Sequence, residues 1–246
     1  MLSVINPHFT QFADFVKSIH YQFDKGGAVI FKQRNELRVF DVQGEPLNVK
    51  RFRAPHLFNR IIYTFFRKTK AQCSYQNALR LKELGIETPE PAAFILTKRN
   101  GLLSYSYYVS RQVAYNRNMY EFGEGGIEGR EHILEAFVDF TVKMHEKGIY
   151  HKDFSPGNIL FKEEKGEVTF CLVDINRMRF RPVTVLQGSA NLARLWGQKP
   201  FFDFIVRRYA EKRHADAEKC LKVALQARKN FWKRYTRRHP LPFTWD

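Results

Sequence analysis

The sequence predicts an α+β fold in two lobes, the first built on a small antiparallel sheet and the second mainly helical. Three observations predict it. Short strand-like runs fill Ala28 to Phe52, apolar residues at helical spacing dominate from Ile133 onward, and the change of character falls near Arg111 to Asn116. The lobes are accordingly placed at residues 1–112 and 113–246. With 246 residues, 44% of them apolar, the chain can bury one substantial core or two modest ones, which excludes disorder and a small stapled fold.

The strands come first. Ala28 to Phe31, Leu37 to Phe40 and Leu47 to Phe52 are β-prone runs separated by the polar break Gln33-Arg34-Asn35 and the turn Gln43-Gly44, a pattern of three antiparallel strands. Phe58, Ile61, Ile62, Phe65 and Phe66 then recur at helical spacing, and their stripe is expected to pack on the first lobe, while the flanking Arg51, Arg53, Arg60, Arg67, Lys68 and Lys70 would also suit a helix lying on an anionic bilayer. A second helix spans about Cys73 to Leu84 and stops at Gly85. Pro89 and Pro91 impose an extended connector, and Ala92 to Thr97 and Tyr105 to Val113 form two more strands about the turn Arg99-Asn100-Gly101.

The glycines between Glu121 and Arg130 mark a surface loop. Ile133, Leu134, Phe137, Val138, Thr141 and Met144 make one apolar helix face, and further helices are expected near Pro200 to Arg213 and Asp216 to Arg238. The basic residues of the last segment, among them Lys219, Arg228 and Lys233, read as a solvated face, or as a surface for acidic lipid or a phosphorylated glycolipid. Gly26 and Gly27 precede the first clear strand and read as a turn, not a phosphate cradle.

Lys plus Arg total 41 against 25 Asp plus Glu, a net charge of +16 that favours phosphorylated, nucleic-acid or anionic-membrane partners. Charge does not choose among these. Cys73, Cys171 and Cys220 are too far apart for a zinc or dithiol motif, and a reducing compartment is the simpler expectation. No signal-peptide pattern and no long apolar run is found, so the expected location is the cytoplasm, with contact at the inner membrane face allowed.

Chemistry concentrates between His151 and Asn176. Ile159 to Lys162 and Val168 to Val173 flank the polar turn Glu163 to Gly166 and can pair as a hairpin, which brings Asn158 and Asp174 to its open end. An amide oxygen and a carboxylate there suit Mg2+, a hard cation that completes its shell with water and phosphate. Asp153, on the loop feeding the hairpin, can accept a proton from an attacking hydroxyl. This set points to phosphoryl transfer to an alcohol.

His151-x-Asp153-x-x-x-x-Asn158, followed by Asp174, resembles the catalytic loop and magnesium Asp of the protein-kinase-like superfamily. Within it the chain is most similar to the lipopolysaccharide core (Kdo/heptose) kinases. The supporting residues are Val49 to Phe52, Lys70 to Tyr75, Leu84 to Pro91, the catalytic loop, Val173 to Arg177 and Phe204 to Tyr209. The resemblance implies a two-lobed protein-kinase-like fold and an ATP- and Mg2+-dependent phosphotransferase. Its acceptor would be a sugar hydroxyl of a core glycolipid, with nucleic acid a less favoured partner.

By the same resemblance Asp153 is the catalytic carboxylate, Asn158 and Asp174 are the metal ligands, and His151 braces the loop. Lys50 would pair the α/β-phosphates of ATP, and the backbone about Arg111 to Val113 would meet adenine. Departures from the protein-kinase pattern are informative. Asp174-Ile175-Asn176 replaces D-F-G, and Ser155 stands where protein kinases carry Lys, which favours a sugar or small-molecule acceptor over protein. No glycine-rich loop is present, so Arg34 is assigned to phosphate by its charge, and Gln76 stands about where the lysine's Glu partner is expected, with Glu83 two turns further along. A small-molecule or atypical protein kinase and a non-enzymatic binding module are the competing readings.

Overall fold

Short apolar runs broken by tight turns make the first part of the chain a single antiparallel sheet. The computed structural model describes residues 1–244, and its backbone divides into two units, Met1–Ala114 and Tyr115–Asp246. In the first unit the elements are β1 (Leu2–Ile5), α1 (Ala13–Gln22), β2 (Ala28–Lys32), β3 (Asn35–Val42), β4 (Glu45–Phe52), α2 (Leu57–Phe65), α3 (Lys70–Glu83), β5 (Pro91–Arg99) and β6 (Leu102–Arg111). The six strands lie in the order β1-β5-β6-β4-β3-β2.

The turns at Gln43-Gly44 and Asn100-Gly101 hold both residues at positive φ, which matches the twist of a two-residue hairpin. Side chains alternate along β4, so Leu47 and Val49 enter a core while Lys50 belongs to the other face, opposite Leu37 of β3 and Tyr108 of β6. That core is closed by a segment whose pattern in the sequence points to no element. Phe9, Phe12, Val16, Ile19 and Phe23, from α1 and the turn before it, pack on Phe40, Leu47, Val49, Ile95, Tyr107 and Val109. Above it, Glu36 is ion-paired to both Arg38 and Arg51, whose guanidinium groups lie over the Phe23 ring.

Helix α3 starts on a capping box, with Thr69 Oγ1 accepting from the Gln72 amide and Gln72 Oε1 from the Thr69 amide. Helix α2 corrects the expectation that its aromatic stripe packs inward. Leu57, Phe58, Ile61 and Phe65 are exposed, and no residue of α2 is buried. The polar side does the docking: Arg60 donates to the carbonyls of Leu103 and Arg99 at 2.7 and 3.1 Å, and Thr64 Oγ1 accepts from the Leu103 amide at 2.9 Å.

The second unit holds β7 (Arg117–Asn118), α4 (Glu131–Glu146), β8 (Ile149–His151), β9 (Ile159–Glu164), β10 (Glu167–Leu172), β11 (Met178–Phe180), α5 (Val185–Asn191), α6 (Lys199–Lys212) and α7 (Ala217–Tyr235). Strands β10, β9 and β7 form one small sheet, and β8 pairs with β11. The apolar face of α4 supplies the core, with the Phe137 ring stacked on Phe154 of the loop after β8. Helix α5 and the 3-10 turn after it, Leu192–Arg194, carry no strong periodic signal and were not anticipated. Most basic residues of α7 are exposed as expected. Arg228 is the exception: it is buried, and donates to the carbonyls of Leu195 and Gly197. No helix of the described residues is long and apolar enough to cross a membrane.

Candidate active site

Strands β9 and β10 pair in the register Leu172 to Ile159, and the ladder is extended by the Val173 amide donating to the Asn158 carbonyl at 3.0 Å. Asn158 therefore faces Val173, and Asp174 is the next residue along, one step from the direct opposition that the hairpin geometry predicts. The chain leaves the hairpin at Asp174 in the left-handed conformation, φ 52° and ψ 43°. Asn176 Nδ2 donates to Asp174 Oδ1 at 2.7 Å and braces that turn.

The loop from His151 to Asn158 is held by its own side chains. Asn158 Nδ2 donates to the Asp153 carbonyl at 2.8 Å and to Ser155 Oγ at 3.1 Å. With the nitrogen so occupied, Oδ1 is the atom that Asn158 can offer a cation. His151 is fully buried, its Nδ1 accepting from the Asp153 amide at 3.0 Å and its Nε2 lying 3.3 Å from the Val173 carbonyl. That arrangement requires the neutral ring with the proton on Nε2. Burial pushes the His151 pKa down, outweighing the Val173 carbonyl and the Asp153 and Asp174 carboxylates, which favour the charged form. His151 is thus a brace that joins the loop to the hairpin end.

Asp153 has a counterion that the sequence did not reveal. Arg194 Nη2 is ion-paired to Asp153 Oδ1, and Arg177 approaches the other oxygen at 4.0 Å. Arg194 also donates to the Lys152 carbonyl at 3.1 Å and lies over the Phe231 ring. Burial draws its pKa down, and the Asp153 charge opposes that. No motif links Arg194 to a loop forty residues earlier, so spacing alone had no means of finding it.

Behind the loop runs a directional chain of buried polar groups. Arg213 donates to the Tyr209 hydroxyl at 2.9 Å, and that hydroxyl lies 2.9 Å from His145 Nδ1. His145 Nε2 lies 3.1 Å from Asn191 Oδ1, and Asn191 Nδ2 donates to the His151 carbonyl at 3.0 Å. Burial lowers the His145 pKa to about 4, so the ring is neutral, its Nδ1 accepting a hydrogen bond from the Tyr209 hydroxyl and its Nε2–H donating one to Asn191 Oδ1. Gly188 is the contact point: a Cβ there would fall 1.9 Å from the Tyr209 hydroxyl and 2.8 Å from His145 Nδ1.

The second unit therefore gathers Asp153, Asn158 and Asp174 about one loop and one hairpin end. The other sequence-predicted residues lie in the first unit. Lys50 sits mid-strand on β4, its ammonium 5.4 Å from the Phe52 ring centre. Arg34, in the β2–β3 turn, lines a cavity with Arg53, His56, Tyr63 and Lys70. Gln76 Oε1 accepts from Lys68 at 2.8 Å, and Glu83 lies beside Arg80 on the exposed side of α3. The Arg111 side chain is paired with Glu45 at 2.6 Å and Glu90 at 3.3 Å and lies over Phe9, on the core face of the sheet. The Arg111 amide donates to the Glu90 carbonyl, and the Val113 carbonyl accepts from the Gln112 side chain at 3.2 Å. Among the described residues no cluster of three or more His, Cys, Asp or Glu side chains has metal-binding geometry; an Asn-plus-Asp pair is a different donor set.

The fold is similar to that of WaaP as solved in complex with acyl carrier protein: the TM-score is 0.63 at 16% identity, over 96% of this chain and 99% of that one. No curated protein sequence matches. The family model described as lipopolysaccharide kinase (Kdo/WaaP) matches residues 34–208, which takes in β3 and β4, the loop at Asp153, Asp174 and Arg194. The chain belongs to the lipopolysaccharide kinase (Kdo/WaaP) family and is a phosphotransferase.

Proposed function

We propose that this kinase transfers the γ-phosphate of ATP, with Mg2+, to a sugar hydroxyl of the lipopolysaccharide inner core, on Kdo or heptose. A kinase family implies ATP as phosphate donor. The observation that carries the reaction chemistry is the Asp153 loop, where a carboxylate is held by Arg194 next to an amide whose nitrogen is already bonded within the loop.

The donor set fits Mg2+ by its chemistry. Asn158 offers Oδ1 and Asp174 a carboxylate, two hard oxygen donors, the small complement this ion takes from protein when phosphates fill the rest of its shell. When bound, Mg2+ offsets charge on the phosphate oxygens. Asp153 accepts the proton of the attacking hydroxyl and orients its oxygen. Arg194 keeps that carboxylate aimed, and Ser155, spent on Asn158, stabilises the metal side of the loop. Lys50 and Arg34 are assigned to the nucleotide phosphates, Gln76 to the lysine side of that site, and the backbone from Arg111 to Val113 to adenine.

A sugar acceptor is favoured over protein because Ser155 replaces the lysine that protein kinases carry at that position, and because the charge of +16 suits a phosphorylated glycolipid at the cytoplasmic face of a membrane. The test is mass spectrometry of the lipid A-core fraction from cells with and without an active copy. The proposal expects a gain of one phosphate on a core sugar; an unchanged glycolipid with phosphate appearing on protein would overturn it.

A further inference from the structure

Helix α2 is amphipathic the wrong way round for a soluble protein. At 100° per residue, Leu57, Phe58, Ile61 and Phe65 share an arc of about 100° on one side. That side faces solvent: Leu57 is 65%, Phe58 75% and Phe65 66% exposed, and Phe66, just beyond the helix, is 79% exposed. The opposite side carries Asn59 and Tyr63, which line the cavity at the β2–β3 turn, and one flank carries Arg60 and Thr64, which are hydrogen-bonded to β6. The helix is therefore anchored by its polar groups in an orientation that holds a contiguous aromatic and aliphatic surface in water. A surface of that kind on a monomer marks a docking site.

Charge indicates what docks. From Pro46 to Lys82 there is no Asp or Glu, while nine residues are Lys or Arg. Arg53, Arg67 and Lys68, which bracket α2, are exposed. Large apolar side chains flanked by cations, on a helix far too short to span a bilayer, are the composition of an interfacial helix on an anionic membrane. An acidic protein would satisfy the cations, but a row of exposed phenylalanines gains most where there are acyl chains to enter.

We infer that α2 is a membrane-docking element that lays its Leu57, Phe58, Ile61 and Phe65 face into an anionic phospholipid bilayer, with Arg53, Arg67 and Lys68 at the level of the lipid phosphates. The inference gives a surface to the membrane-face reading above and rests on it for its role in the cell, but its test reads no phosphate transfer.

The test is co-sedimentation of the full chain with phosphatidylcholine vesicles containing about one-third phosphatidylglycerol. The expected result is binding by the wild-type chain, a loss of about tenfold or more in bound fraction for the double variant Phe58→Glu/Phe65→Glu, and a weaker loss for Arg67→Glu/Lys68→Glu that vanishes on pure phosphatidylcholine. Because both phenylalanines are exposed, the double variant should melt at the wild-type temperature, which separates lost docking from lost folding. Wild-type-like sedimentation by the folded double variant would overturn the inference. So would a wild-type chain that ignores the vesicles and uses α2 to bind an acidic protein.

Discussion

Arg194 and Asp153 form an ion pair between the 3-10 turn after α5 and the loop after β8, and the same guanidinium bonds the Lys152 carbonyl one residue earlier. One planar group thus fixes both the backbone and the carboxylate of the loop, a task for which lysine lacks the geometry. Arg194→Met is expected to lower kcat by roughly 10- to 100-fold with a smaller change in KM, because the carboxylate stays but loses its aim. Arg194→Lys should recover only part of the loss. Steady-state phosphate transfer at saturating ATP is the measurement.

The turn at Asp174 makes a second prediction. A left-handed residue without a side-chain hydrogen bond costs about 1–2 kcal/mol, and Asn tolerates that conformation better than Ala. Asp174→Asn should therefore melt close to the wild type while losing Mg2+-dependent activity, and Asp174→Ala should lose both activity and some stability. Thermal melting beside a Mg2+ titration of turnover distinguishes the two.

Acid should weaken the fold before carboxylates protonate. His145 titrates at about 4 in the folded chain against an ordinary 6.5. In that window the unfolded chain binds a proton that the folded one refuses, so stability rises with pH. The contribution is whole above pH 6.5 and is lost as pH falls toward 4, by roughly 3 kcal/mol. His151, also lowered by burial, adds in the same direction. Urea unfolding at pH 7.5 and pH 5 should show the drop, and His145→Gln should flatten the slope.

Gly188→Ala is expected to destabilise by about 1–3 kcal/mol or more, since its methyl would displace the Tyr209 hydroxyl from His145 and the surrounding chain is packed. A structural role alone predicts only a lower melting temperature. If the chain from Arg213 to the His151 carbonyl positions the loop, kcat measured well below the melting range should fall too.

Much of this was legible in the sequence, for local reasons. Strands β2 to β6 and the hairpin before Asp174 follow from alternation and turn residues acting over a few positions, and α3 ends where Gly85 allows a left-handed turn, whereas the short edge strand β1 carries too few residues to show a pattern. What escaped depended on tertiary contacts. The α1 segment has an ordinary apolar pattern whose partner face, Phe40 to Val109, cannot be identified from sequence. Arg194 and Arg228 resemble any surface arginine until their distant partners are known. Helix α2 was found by period but assigned the wrong orientation, because periodicity shows that a helix has an apolar face and not which way it points.

The central claim is that Asp153 acts on the attacking hydroxyl, and its most direct test is phosphate transfer from ATP to purified inner-core glycolipid by Asp153→Ala. The account predicts a fall of about a thousandfold or more in kcat in a variant that still folds cooperatively, with intact vesicle binding and a melting temperature lowered only by the loss of the Arg194 ion pair. Near-normal turnover by the folded variant would contradict it.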